Sequence, residues 1–155
     1  MNHLNEMSRL SMIAHPDVSC ITNVGTAHIG ELGSRENILK AKLEIINGMK
    51  EGSTLIINQD NDMLQTVELP HLNVVRVGKG KEASIQASHI VLEETKSSFE
   101  VEYQGKKEII EVPVQGEHNI SNALIAIAVG IELNISLEDI KKGIQEFIGE
   151  LQGSI

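Results

Sequence analysis

Aromatic residues make up only 2% of the 155-residue chain, which has no tryptophan, one tyrosine and two phenylalanines. A core must therefore be built from Ile, Leu, Val, Ala and Met, which suits a sheet covered by helices. Binding of single-stranded nucleic acid is left without stacking platforms. Positive charge is also scarce. Thirteen basic against 22 acidic residues give a formal net charge of −9, the wrong sign for a phosphate-backbone binder without a concentrated basic patch. No such patch is visible, so no nucleic-acid partner is expected. The single cysteine, Cys20, excludes a disulfide framework and a cysteine-based zinc site. Inside an apolar run it reads as a small core residue, compatible with a reducing cytoplasm. No apolar stretch approaches the roughly 20 residues that a membrane crossing takes, and the N-terminus carries no signal-peptide pattern. A cytoplasmic location without membrane insertion is expected.

What remains is an ordinary globular composition, 41% hydrophobic with 13 glycines and 3 prolines, in a length that suits one domain. Residues 6–14 read as the end of an amphipathic helix with Met7, Leu10, Ile13 and Ala14 on its apolar face, stopped at His15-Pro16. Residues 18–24 are a short continuous apolar run, as a strand buried on both faces requires. Ser34 is placed to cap a helix running to about Met49, with Ile38, Ala41, Ile45 and Met49 at helical spacing. Buried strands follow at 54–57 and 74–77, the first ending in Asn58-Gln59-Asp60-Asn61-Asp62. Strand, helix, strand, short helix, strand is the pattern of a parallel sheet. Between Ser84 and Val114 the period changes to two, and Gln104-Gly105-Lys106 is a hairpin turn, so a small antiparallel element is attached to the parallel core. A deeply buried helix spans about 118–133. A last helix opens at Ser136-Leu137-Glu138-Asp139, a near-match to a capping box, and residues 149–155 read as a tail. The expected fold is α/β, a mostly parallel sheet flanked by helices with a small antiparallel β element.

The chemistry-bearing residues concentrate where the first strand runs into a glycine-rich turn, Thr22-Asn23-Val24-Gly25-Thr26-Ala27-His28-Ile29-Gly30-Glu31-Leu32-Gly33-Ser34, shortly before Lys40-Ala41-Lys42-Leu43-Glu44-Ile45. The C-terminal end of a strand in an α/β sheet is where ligands gather. By itself His28 also fits a loop histidine held by backbone hydrogen bonds, and Lys42 a solvated helix lysine. A second block, Gly116-Glu117-His118-Asn119-Ile120-Ser121-Asn122-Ala123, opens the buried helix, and there either asparagine could simply cap the helix. His71 and His89 have no motif around them and read as surface or strand residues.

Together the two blocks resemble the central domain of the Mur ligases, with most likeness to the D-alanyl-D-alanine-adding branch, and the resemblance covers essentially the whole chain. It implies an ATP-dependent enzyme of peptidoglycan precursor synthesis acting on UDP-N-acetylmuramoyl-tripeptide and D-alanyl-D-alanine. ATP would phosphorylate the peptide's terminal carboxylate, and the incoming amine would attack the acyl phosphate. It further implies Mg²⁺, which neutralises charge where phosphates and a carboxylate approach. Carried over residue by residue, His28 becomes a Mg²⁺ ligand. Lys42 becomes the lysine converted by CO₂ to a carbamate, whose anionic oxygen a hard cation prefers. Lys40, two positions away, is the competitor for that role and points to another side of the helix. His118, Asn119 and Asn122 would surround the adenine of ATP. Asn2 and Asn23 are possible substrate contacts.

The glycine-rich phosphate loop is not found: Gly78-Lys79, Gly80-Lys81 and Gly105-Lys106 are each followed by something other than Ser or Thr. The resemblance therefore implies a partial central domain, inactive alone, with the UDP-binding and C-terminal domains and one metal-binding glutamate outside it. The alternatives are another amide ligase of the same superfamily, including folylpolyglutamate synthase, and a stand-alone non-catalytic binding domain.

Overall fold

A computed structural model of the chain describes residues 2–27 and 29–153, with side chains through Glu146. It divides into two compact units, Met1–Val75 and Arg76–Ile155. Hydrogen bonding orders the six strands as β1-β2-β3-β4-β5-β6, and the alternation of strands with helices gives the expected α/β class.

In the first unit, α1 (Glu6–Ala14) leads into β1 (Val18–Ile21), the short α2 (Ile29–Leu32) and α3 (Arg35–Leu43). A 3₁₀ segment, Glu44–Gly48, follows, then β2 (Thr54–Asn58) and the start of β3 (Asn73–Gly78). Strands β1 and β2 are parallel, with Cys20 opposite Ile56 and Ile21 opposite Ile57. Ser34 caps α3 as expected, its hydroxyl accepting from the Asn37 N–H at 3.2 Å. The apolar face of α3 places Ile38 and Ala41 in one core with Ile21, Val24, Leu55 and Ile57. Because β2 is buried at all five positions, it reads in sequence as a bare apolar run.

Three expectations fail in this unit. Leu10 and Ile13, assigned to the buried face of α1, are 61% and 80% exposed. The face that packs is the polar one: the Ser11 hydroxyl donates to the Ile45 carbonyl and accepts from the Gly48 N–H at 2.9 Å. Asn47 donates to the Ser8 hydroxyl at 2.9 Å. Hydrogen bonds to the backbone of the 3₁₀ segment, rather than apolar area, decide how α1 docks, and an apolar periodicity count is blind to them. Likewise β1, first in the strand order, is covered on one face only: Ser19 and Ile21 are buried while Cys20 is exposed. Cys20 is thus not a core residue. The helix expected to reach Met49 also tightens to 3₁₀ geometry after Leu43.

In the second unit, the end of β3 pairs in parallel with β4 (Ile85–Leu92). Strands β4, β5 (Ser97–Tyr103) and β6 (Lys106–Val112) then form the expected antiparallel element. The turn between β5 and β6 has positive φ at Gln104 (51°) and Gly105 (77°), the geometry of a tight hairpin that glycine tolerates at no steric cost. His89 sits exposed, at φ 49°, in the irregular part of β4. Ile85, Ala87, Phe99, Val101, Ile110 and Val112 face a core completed by Ile120, Leu124 and Ile127 of α4 (Glu117–Glu132). Ser136 caps α5 (Leu137–Gly153), accepting from the Asp139 N–H at 3.2 Å. That helix runs on to Gly153, so the segment read as a tail is largely helical.

Candidate functional site

The segment leaving β1, Thr22 to Val24, runs beyond the β1–β2 ladder, which ends with Ile21 opposite Ile57, so its carbonyls take donors from elsewhere. Each of the three finds a side chain. Asn58 at the end of β2 donates to the Thr22 carbonyl at 3.3 Å, and the Lys42 ammonium group donates to that of Asn23. The Val24 carbonyl accepts from Arg35 at 2.7 Å and from Asn61 at 3.3 Å. Arg35 is itself fixed by a two-pronged pairing with Asp62, at 2.8 and 2.7 Å. That pairing holds the Asp62 carboxyl below the usual carboxylate range and raises the guanidinium. Asn61 also donates to the Asn23 side-chain oxygen at 2.7 Å.

Two of these residues, Thr22 and Lys42, line a cavity of about 360 Å³ together with Cys20, Ile21, Gly25 and Ile38 among others. Lys42 stands one turn after Ile38 on α3, so the core packing of that helix carries its side chain to the cavity. Partial burial pushes the Lys42 amine below the usual lysine range, because an ammonium loses solvation there. Lys40 is exposed on the same helix and does not line the cavity.

The structure brings Lys42 and Asn23 into direct contact. The expectation for His28 lies outside the described residues. Asn2 is exposed, and its backbone N–H donates to the Glu6 carboxylate at 2.8 Å. His118, Asn119 and Asn122 gather in the first turns of α4 in the second unit. The Asn119 amide donates back to the Gln115 carbonyl at 2.9 Å, while His118 and Asn122 are exposed. Gly116, at φ +108°, stands at the cap, and a Cβ there would lie 2.9 Å from the His118 ring. Neither asparagine is the cap residue.

The residues that sequence reasoning passed over are Arg35, Asn58, Asn61 and Asp62. For Asn58, Asn61 and Asp62 the signal was available: a polar run closing a fully buried strand lies at the carboxyl edge of the sheet, where binding loops collect. It was read only as the strand's end.

Residues 1–130 match the model of the Mur ligase middle domain. The chain belongs to the Mur ligase family. Among its relatives is UDP-N-acetylmuramoyl-tripeptide–D-alanyl-D-alanine ligase of Bacillus subtilis, 38% identical over 144 residues, which are 93% of this chain and 31% of the relative. A crystal structure of MurF from Acinetobacter baumannii superposes with a TM-score of 0.85 at 32% identity, covering 93% of this chain and 32% of that one. The MurF ligase of Thermotoga maritima, solved in complex with ADP, shares the fold at a TM-score of 0.76 and 24% identity, over 87% of this chain and 32% of the other. The chain thus spans about a third of the length of the relatives it matches. No helix among the described residues is long and apolar enough to cross a membrane.

Proposed function

We propose that this chain is part of an ATP-dependent ligase that joins D-alanyl-D-alanine to UDP-N-acetylmuramoyl-tripeptide. The observation that carries this reading is the placement of Lys42. The one lysine of its helix that reaches the cavity is half-buried, carries a depressed pKa and is held by the Asn23 carbonyl. Only the neutral amine has the lone pair that attacks CO₂, so the same burial that disfavours the ammonium favours a carbamate.

The reaction proceeds by transfer of the ATP γ-phosphoryl group to the peptide's carboxylate, releasing ADP. The amine of D-alanyl-D-alanine then attacks the acyl carbon, and phosphate leaves as the amide bond forms. As an ammonium, Lys42 has no lone pair for a cation; as a carbamate it offers the hard anionic oxygen that Mg²⁺ prefers, so the residue fits Mg²⁺ in that form. No group of three His, Cys, Asp or Glu side chains able to hold a metal occurs among the described residues. Lys42 as a carbamate, together with His28, would hold the ion. Mg²⁺ would supply charge neutralisation between the phosphates and the carboxylate. His118, Asn119 and Asn122 would contact adenine. The carboxamide of Asn119 keeps its oxygen and one proton for that purpose after donating to Gln115. The relatives' names support the substrates, and the ADP-bound fold relative is consistent with the nucleotide. A cytoplasmic setting agrees with substrates that carry a nucleotide.

The test is release of ADP by the full protein with UDP-N-acetylmuramoyl-tripeptide, ATP and a panel of amines. Turnover that requires D-alanyl-D-alanine is expected. Turnover with a single amino acid in its place moves the protein to another branch of the family, and no ATP turnover with any amine returns it to a binding role.

A further inference from the structure

Asn61 lies outside the cavity and touches nothing that reacts, yet its hydrogen bonds determine which atom Asn23 can present. The Asn61 side-chain oxygen accepts from the backbone N–H groups of Met63 at 3.0 Å and Leu64 at 3.1 Å. Two backbone donors fix which end of that carboxamide is oxygen, because the alternative orientation would set N–H against N–H. The opposite end is therefore the NH₂ group, and what it meets 2.7 Å away must be the oxygen of Asn23. The Asn23 amide is thereby oriented as well. Its Nδ2 is left pointing over Gly25, 3.2 Å from where a Cβ on that glycine would stand, and Gly25 lines the Lys42 cavity. It has no acceptor among the described residues.

We propose that Asn61 is a positioning residue that orients Asn23 so that this one asparagine holds the Lys42 carbamate at two points. The Asn23 carbonyl, already the acceptor for Lys42 Nζ, takes the carbamate N–H, and Nδ2 donates to a carbamate oxygen. This deepens the reading of Lys42 given above and rests on it. The covalent step is addition of the neutral Nζ to CO₂: the N–C bond forms, a C=O electron pair moves to oxygen, and one proton leaves Nζ for solvent. The product has one N–H and an anionic carboxyl group, the donor and acceptor that Asn23 matches. A charge-assisted hydrogen bond of this kind is worth more than a neutral one.

Asn61→Asp separates positioning from folding. A carboxylate still accepts from Met63 and Leu64 N–H, so the turn survives, but it cannot donate. Asn23 must then rotate its NH₂ towards residue 61 and turn its oxygen to the cavity. In the full protein kept free of CO₂, so that no carbamate engages Nδ2, the side-chain amide protons of Asn23 are expected to exchange fast in the wild type and to become protected in Asn61→Asp. An unchanged pattern overturns the positioning role. With ¹³C-bicarbonate, the carbamate carbon signal that disappears in Lys42→Arg is expected to fall about tenfold in both Asn61→Asp and Asn23→Ala. The Asn23→Ala/Asn61→Asp double variant should fall no further than Asn23→Ala alone. If the two losses multiply, Asn61 acts through its new charge or the fold and not through Asn23, and the proposal is wrong. Wild-type carbamate in Asn61→Asp overturns it equally. Absence of any Lys42-dependent signal in the wild type overturns the carbamate reading, with Asn23's use, while the exchange pattern still decides Asn61's part. Should Asn61→Asp not fold, Asn61→Ser, which retains an acceptor for the turn but is too short to reach Asn23, is judged by the same readouts.

Discussion

Three successive carbonyls, those of Thr22, Asn23 and Val24, are each held by a side chain from elsewhere in the chain, and this is what makes the end of β1 a defined surface. One charge-bearing donor among them, Arg35, is paired with Asp62, and that pairing sets a pH dependence. The folded carboxyl lies below its ordinary range because the guanidinium favours the ionised form. Its contribution is therefore fully present above the unfolded carboxylate pKa and is lost as the pH falls through the depressed folded value. The carboxyl carbon of Asp62, followed by NMR, should titrate below a free aspartate, and Arg35→Lys should return it towards the ordinary range while loosening the Val24 carbonyl. A titration identical in both proteins would mean that the pairing does not form in solution.

At the scale of elements, α3 is where sequence and structure agree best, because its determinants are local. Ser34 supplies the cap, the Ile38 and Ala41 spacing supplies the buried face, and Lys42 follows from both. Replacing Ser34 by Ala should cost about 1 kcal/mol, read as a lowered denaturation midpoint, with further loss of the Lys42 hydrogen bond if the first turn frays. Helix α1 is the contrary case. Its docking depends on Ser11 and on the bare backbone of Gly48, where a Cβ would stand 1.9 Å from the Ser11 carbonyl oxygen. No side-chain rotation relieves that contact. Gly48→Ala should destabilise the protein by about 3 kcal/mol or more, whereas Leu10→Ala, at an exposed position, should change it by less than about 0.5 kcal/mol. The reverse order would restore the apolar face that periodicity suggests. Such long-range polar fits leave no trace in a hydrophobic pattern, which is why periodicity misplaces the packed face of α1 while β2 and α4 follow it.

For the molecule as a whole, the order of elements and the change of period after β3 were enough to indicate a parallel sheet with an antiparallel extension. The two motif blocks were enough to indicate the family. The loop after β2 was not legible in the same way: Asn58 and Asn61 act on a segment more than thirty positions earlier in the chain, and Asp62 on Arg35, 27 positions earlier, relations that only the fold supplies. The functional account centres on Lys42 as the anionic support of a ligase site. The decisive measurement is the steady-state ligation rate of the full protein carrying Lys42→Ala or Lys40→Ala, with and without added formate. Lys42→Ala should lose at least about a hundredfold and regain part of the rate with formate, which restores an anionic oxygen where the carbamate stood, while Lys40→Ala stays within about threefold of wild type. Equal losses in the two variants, or a Lys42→Ala enzyme as fast as wild type, would contradict that role.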